Sequence, residues 1–259
     1  MSAAPPEIAP PENPISERLP TREGYGGVPR TAARGLEIGV AILVVLGCVL
    51  IGTLIVAAFD PTIGDADDDT SDGGALALQA IFELSFAFAA IGAATIANRR
   101  GLREGLRRLG LRKPSGPVVS TFLIALATYA VSALVLTALL QPEQKDIAES
   151  LGADADSALI VTIIAGILIA PVTAFCEEIF FRGLLFGGLR QRLPLWPAAI
   201  ASGLIFGALH LTGGDLGVAL QLSILGVIFA WSYERSGSLW VPISLHVANN
   251  TIAFFTLIS

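Results

Sequence analysis

Three long apolar runs constrain this chain more than anything else in it. Ile38–Phe59 is 22 residues without a charge, Gly74–Ala97 has only Glu83, and Val118–Leu140 has none. Each is long enough as a helix, at about 1.5 Å per residue, to cross a hydrocarbon core of about 30 Å. Inside a bilayer every backbone N–H and C=O must be satisfied within the protein, so such runs fold as helices. The chain as a whole fits this: of 259 residues, 53% are hydrophobic and 15% charged, with mean hydropathy +0.70. Four later segments are shorter or interrupted by Gly, Pro and polar residues: 158–175, running on into a charged motif, 197–211, 216–233 and 239–258. The expected fold is all-α, a polytopic membrane helix bundle of about seven spans, with eight an alternative.

The charges between spans alternate. Arg18, Arg22, Arg30 and Arg34 precede the first span; the loop 60–73 has six aspartates and no base. Arg99, Arg100, Arg103, Arg107, Arg108, Arg112 and Lys113 follow the second span, and Lys145 stands alone among acids after the third. Arg190 and Arg192 follow the fourth, Arg235 follows the sixth, and the turn 212–215 has no base. Bases collect on the cytoplasmic side of short loops, so the N-terminus is expected in the cytoplasm of a cell with this protein in its plasma (inner) membrane. The basic loop 99–113 reads as a topology signal with some contact to anionic lipid. The net charge of −6 argues against nucleic acid as a partner.

Residues 1–35, rich in Pro, Glu and Arg, read as a disordered cytoplasmic tail rather than a signal peptide, leaving 36–259 as the membrane domain. Cys48 and Cys176 both lie in apolar surroundings and suggest no disulfide. In such a setting Cys176 reads as packing, not as a nucleophile.

The fourth apolar segment runs into Cys176-Glu177-Glu178-Ile179-Phe180-Phe181-Arg182. Charges in hydrocarbon are retained only when paired, facing a cavity, or functional. On a helix, Glu178 and Arg182 are four apart and pair. Glu177 has Phe181 at that position instead, so it is left without a local cation. An unpaired buried carboxylate is a stronger base than a paired one, which suits a general base. Taken alone, the motif reads equally as a packing ion pair with a spare Glu. His210 ends the fifth span one turn after Phe206; His246 and Asn250 share one face of the seventh, beside Asn249. Each alone reads as interhelical hydrogen bonding.

Together these groups supply a base, a second water-orienting group and donors for an oxyanion, the parts of an amide hydrolase that uses activated water. Glu177, His210 and His246 are equally the parts of a zinc site, although no His-Glu-x-x-His stands in the chain. No Gly-rich phosphate loop and no Gly-x-Ser-x-Gly is present.

At these positions the chain resembles the CAAX-protease and bacteriocin-processing family of intramembrane endopeptidases. The match is Glu-Glu-x-x-x-Arg at Glu177, Glu178 and Arg182, Phe-x-x-x-His at Phe206 and His210, and His-x-x-x-Asn at His246 and Asn250, in the family's order. The resemblance implies that 158–259 is the catalytic core. It implies that Glu177 activates water with His210, that His246 and Asn250 steady the oxyanion, and that Glu178, Arg182 and Phe206 support the site. It leaves a divalent metal such as zinc open. Eukaryotic members cleave the last three residues from prenylated proteins, whereas bacterial members include bacteriocin-related ones. The implied substrate is a peptide or lipidated protein at the bilayer.

Two alternatives stand beside the peptidase. One is an ion-coupled transporter using buried Glu and His, which Glu83 would fit, although no inverted repeat is present. The other is a non-catalytic, immunity-type member of the same family. The bland reading of Glu83 is a group near a helix end or in a helix contact. Straight helices starting level would leave His210 nearer the outer end than Glu177, unless Pro171, Pro194 and Pro197 kink or stagger them.

Overall fold

The computed structural model describes residues 35–60, 72–96, 101–142, 159–212 and 215–257. The proposed tail, most of the acidic loop 60–73, Arg99, Arg100 and Lys145 lie outside the described residues. The described residues form helices and no strand: α1 (Gly35–Phe59), α2 (Asp72–Thr95), α3 (Leu102–Leu109), α4 (Val118–Leu140), α5 (Leu159–Leu189), α6 (Leu195–Leu209), α7 (Leu216–Ser236) and α8 (Trp240–Leu257). The protein is a polytopic helical bundle. Five helices (α1, α2, α4, α5 and α7) are long and apolar enough to cross a membrane. The apolar α6 is shorter, and α8 carries His246, Asn249 and Asn250 along its 18 residues.

The helix the span count did not include is α3. Leu109 and Gly105 are buried while Arg103 and Arg107 face outward, and Arg108 pairs with Glu104 at 3.0 Å. It stops at Gly110, whose φ of 105° is open to glycine and strained for a side chain. A Cβ there would also strike the Tyr233 ring. The Tyr233 hydroxyl donates to the Leu109 carbonyl at 3.0 Å, Leu239 N–H to Gly110 O at 2.9 Å, and Ser115 and Gly116 N–H both to Ser236 O at 3.0 Å. Arg190 and Glu234 pair at 2.7 Å nearby. The basic connections thus gather at one end of the bundle, held by specific hydrogen bonds as well as by charge.

Lipid gives helices no hydrophobic reason to associate, so close packing of small residues takes over. Gly203 and Gly207 on α6 form a Gly-x-x-x-Gly pair against α7. A Cβ on Gly203 would lie 2.6 Å from Ser223 O, and one on Gly207 would strike Ser223 Oγ and Ala219 O. This contact fixes the face of α6 that carries Phe206 and His210.

The fifth helix is not a regular α-helix. Two stretches, Leu168–Val172 and Ile179–Phe186, have π geometry. The first contains Pro171, which has no N–H and cannot continue the ladder. Side chains also bond carbonyls of this stretch: Thr173 Oγ1 donates to Leu168 O at 3.0 Å, beside the Thr173 N–H, and Asn250 Nδ2 to Ile169 O at 2.9 Å.

Candidate active site

The charged motif lies where α5 is enclosed by its neighbours. Every residue from Cys176 to Gly188 is buried, Glu178 and Arg182 fully. The expected i, i+4 pair forms, with Arg182 Nη1 donating to Glu178 Oε1 at 2.8 Å. The guanidinium carbon also lies 4.4 Å from the Phe206 ring centre and 5.1 Å from that of Phe229. Those ring faces stabilise a cation that water does not reach. Bare Gly226 makes room: a Cβ there would come within 3.2 Å of Arg182 Nη2.

His246 of α8 reaches both carboxylates. Its Nδ1 stands 3.1 Å from Glu178 Oε1 and its Nε2 3.6 Å from Glu177 Oε2. The Phe229 ring packs beside it at 5.1 Å. Glu177 and His246 are only 4% and 3% exposed. Glu177 Oε2 has no hydrogen-bond partner. Glu178 Oε2 and Arg182 Nε and Nη2 have none either, so the two adjacent glutamates differ in their other contacts: Glu178 Oε1 is held by Arg182 and His246, while Glu177 meets the imidazole edge.

His210 caps α6 and opens the short 3-10 turn His210–Thr212. Its Nδ1 is 2.9 Å from Phe206 O. A carbonyl only accepts, so Nδ1 carries the proton and the neutral ring presents its Nε2 lone pair elsewhere. The Phe206 ring is 4.9 Å from the His210 ring and 6.0 Å from that of His246. One aromatic ring therefore spans the two imidazoles. His210 makes no direct polar contact with Glu177 among the described residues.

Asn250 shares the face of His246, one turn on. Its amide binds Ile169 O, and its Oδ1 accepts from Asn249 Nδ2 at 3.0 Å. An apolar cavity of about 280 Å³ opens beside the cluster, lined by Tyr129 of α4, Phe229 of α7, and Leu245 and Asn249 of α8. Glu177, His210, His246 and Asn250 do not line it.

The arrangement does not fit the zinc set of the sequence reading. His210 stands apart from Glu177 and His246 behind Phe206, and no three His, Cys, Asp or Glu side chains converge as ligands among the described residues. Cys176 is buried and free.

Sequence reasoning missed three parts. Phe229, against both Arg182 and His246, carries no sequence signal. The Ile169 carbonyl is offered to Asn250 through the π stretch around Pro171, a residue legible only as a kink. Glu83 was visible as the single charge of its run, but its position against α5 was not.

Residues 157–252, from just before α5 to within α8, match the family model described as Type II CAAX prenyl endopeptidase Rce1-like. The chain is 35% identical over 98 residues to "Putative membrane peptidase YdiL" of Bacillus subtilis (strain 168), covering 38% of each. It is 30% identical over 96 residues to an "Uncharacterized 24.3 kDa protein" of Escherichia coli, covering 36% of this chain and 43% of that protein. A third relative, "Uncharacterized protein YyaK" of Bacillus subtilis (strain 168), is 33% identical over 102 residues, 36% of this chain and 33% of its own length. The chain spans less than half the length of the curated relatives it matches. No solved structure gives a significant match. These findings agree with the family read from the three motifs and support a membrane peptidase.

Proposed function

We propose, on the premise that residues 157–252 are a segment of the CAAX-protease and bacteriocin-processing family, that this protein is an intramembrane endopeptidase that hydrolyses with activated water. Glu177 takes a proton from water as the oxygen attacks the scissile carbonyl carbon. The tetrahedral oxyanion is held by N–H groups of His246 and Asn250. Glu177 then returns the proton to the leaving amine as the C–N bond breaks. His210, through Nε2, orients the water. Arg182 and Glu178 hold His246 in place, and the substrate is a membrane-associated or lipidated protein cut near its C-terminus. The protein sits in the plasma (inner) membrane with its N-terminus cytoplasmic.

The observation that carries this reading is the difference between the adjacent carboxylates. Arg182 Nη1 and His246 Nδ1 both engage Glu178 Oε1, whereas Glu177 forms no ion pair with Arg182 and its Oε2, without a hydrogen-bond partner, stands 3.6 Å from His246 Nε2. A structural ion pair alone would not require the second glutamate. General bases of this kind contribute about 100- to 10,000-fold.

The test uses the full chain in liposomes with fluorogenic peptides bearing or lacking a C-terminal lipid. Glu177→Gln should abolish cleavage by at least about 100-fold while the protein still unfolds cooperatively. Wild-type cleavage by Glu177→Gln would remove the mechanism. Equal rates on both peptides would remove the lipid from the substrate.

A further inference from the structure

Asn249 stands beside the proposed oxyanion donors and has no part in the mechanism as drawn. Neighbouring residues on a helix point about 100° apart and seldom meet. Yet Asn249 Nδ2 turns to Asn250 Oδ1 at 3.0 Å. Asn249 also joins Leu245 and Ile252 of α8 in the wall of the apolar cavity. A leucine would suit that wall better than an amide.

The two bonds of Asn250 fix which way its amide faces. A primary amide carries one acceptor oxygen and one nitrogen with two hydrogens. The Ile169 carbonyl only accepts, so Nδ2 must face it, as it does at 2.9 Å. That choice turns Oδ1 away from Ile169, where it calls for a donor, and Asn249 supplies one. The two contacts agree on a single orientation. They also come from different elements: Ile169 belongs to the π stretch of α5, and Asn249 to α8 itself. Held by Ile169 alone, the amide would keep a loose plane, because the last torsion of an asparagine is broad. A second bond, at the other polar atom, removes that freedom. One Nδ2 hydrogen goes to Ile169 O. The other is the hydrogen that the mechanism offers to the oxyanion, and its direction follows the amide plane. A donor aimed in advance stabilises developing charge far better than one that must first turn.

We infer that Asn249 is a positioning residue for Asn250: its amide donates to Asn250 Oδ1 and sets the direction of the remaining Asn250 N–H. It acts through Asn250 and not on the substrate. The kinetic part of this inference rests on the peptidase reading; the orientation of the Asn250 amide does not.

The experiment takes the full chain in liposomes as wild type, Asn249→Leu, Asn250→Leu and the double variant. Leucine fits the cavity wall, so Asn249→Leu should unfold at the wild-type temperature, which the loss of a merely structural amide would lower. Its kcat should fall about 10- to 100-fold with KM unchanged. Asn250→Leu removes a whole oxyanion donor and should cost about 100- to 1,000-fold. The double variant should be no slower than Asn250→Leu, because the two residues act as one unit. Solid-state NMR supplies the second readout. With asparagine alone isotopically labelled, the chain has four side-chain amides, at Asn13, Asn98, Asn249 and Asn250. The Asn250 signal, identified by its loss in Asn250→Leu, should shift and broaden in Asn249→Leu. An unmoved Asn250 signal overturns the inference. So does a wild-type kcat in Asn249→Leu, or a double variant slowed by the product of the two single losses. If Asn249→Leu fails to fold, Asn249→Ala removes the same donor and is read the same way. If the wild type cleaves nothing, the peptidase reading fails, while the NMR spectra still decide whether Asn249 orients Asn250.

Discussion

The fourth and fifth helices are both long and apolar, yet their surroundings are opposite. Along α4 only Thr121 and Ala125 are buried, and Leu134 and Leu139 are each 73% exposed. Along α5 the stretch Cys176–Gly188 is buried without a break. Lipid itself serves as the interior for α4, which needs little protein around it. It cannot serve α5, because two carboxylates and a guanidinium in hydrocarbon need partners from the protein. The polar cluster therefore marks where the bundle is thickest, and the exposed apolar helices mark its rim.

The contrast is broken most directly at His246, which joins α8 to both carboxylates. His246→Ala should lower cleavage about 100- to 1,000-fold, as loss of an oxyanion donor does, while the liposome-bound protein stays folded. A variant cleaving at the wild-type rate would leave the cluster a packing device.

Next in size is the buried pair. Glu178→Gln leaves Arg182 enclosed without its carboxylate and should cost about 3–5 kcal/mol. Thermal unfolding in mild detergent measures this. Glu178→Gln combined with Arg182→Met should recover part of the loss, since the uncompensated charge is gone. No recovery would mean that the pair acts through something other than charge.

A smaller effect is expected where α6 meets α7. Gly207→Ala puts a methyl against Ser223 and the Ala219 carbonyl and should destabilise by about 1–3 kcal/mol. Because Phe206 and His210 ride on that contact, cleavage should fall along with stability. The smallest effect belongs to the rim. Leu134→Ala on α4 should change stability by no more than about 0.5 kcal/mol in either direction. A loss of several times that would mean α4 packs against protein in the membrane, and the contrast would fail.

Much of this was legible before any coordinates. The three long helices α1, α2 and α4 followed from run length, because a bilayer has one thickness, whereas the later segments, broken by Gly, Pro and polar residues, did not declare themselves that way. The Glu178–Arg182 pair followed from helical spacing, because side chains four apart meet on any helix. The sharing of a face by His246 and Asn250 followed for the same reason. What spacing could not give was α3. At eight residues and rich in arginine, it resembles any basic loop until Tyr233 and the Ser236–Leu239 turn are seen to bind it.

The chain by itself determined which groups must be hidden and which helices must lie in lipid, since both follow from the cost of charge and of bare backbone in hydrocarbon. Only the tertiary structure decided who hides whom. That Glu178 takes both Arg182 and His246 and that Phe206 stands between the two imidazoles are matters of how bent helices cross. Crossing is set by glycines, a proline and ring packing contributed by several distant segments, and no local pattern in any one of them contains it.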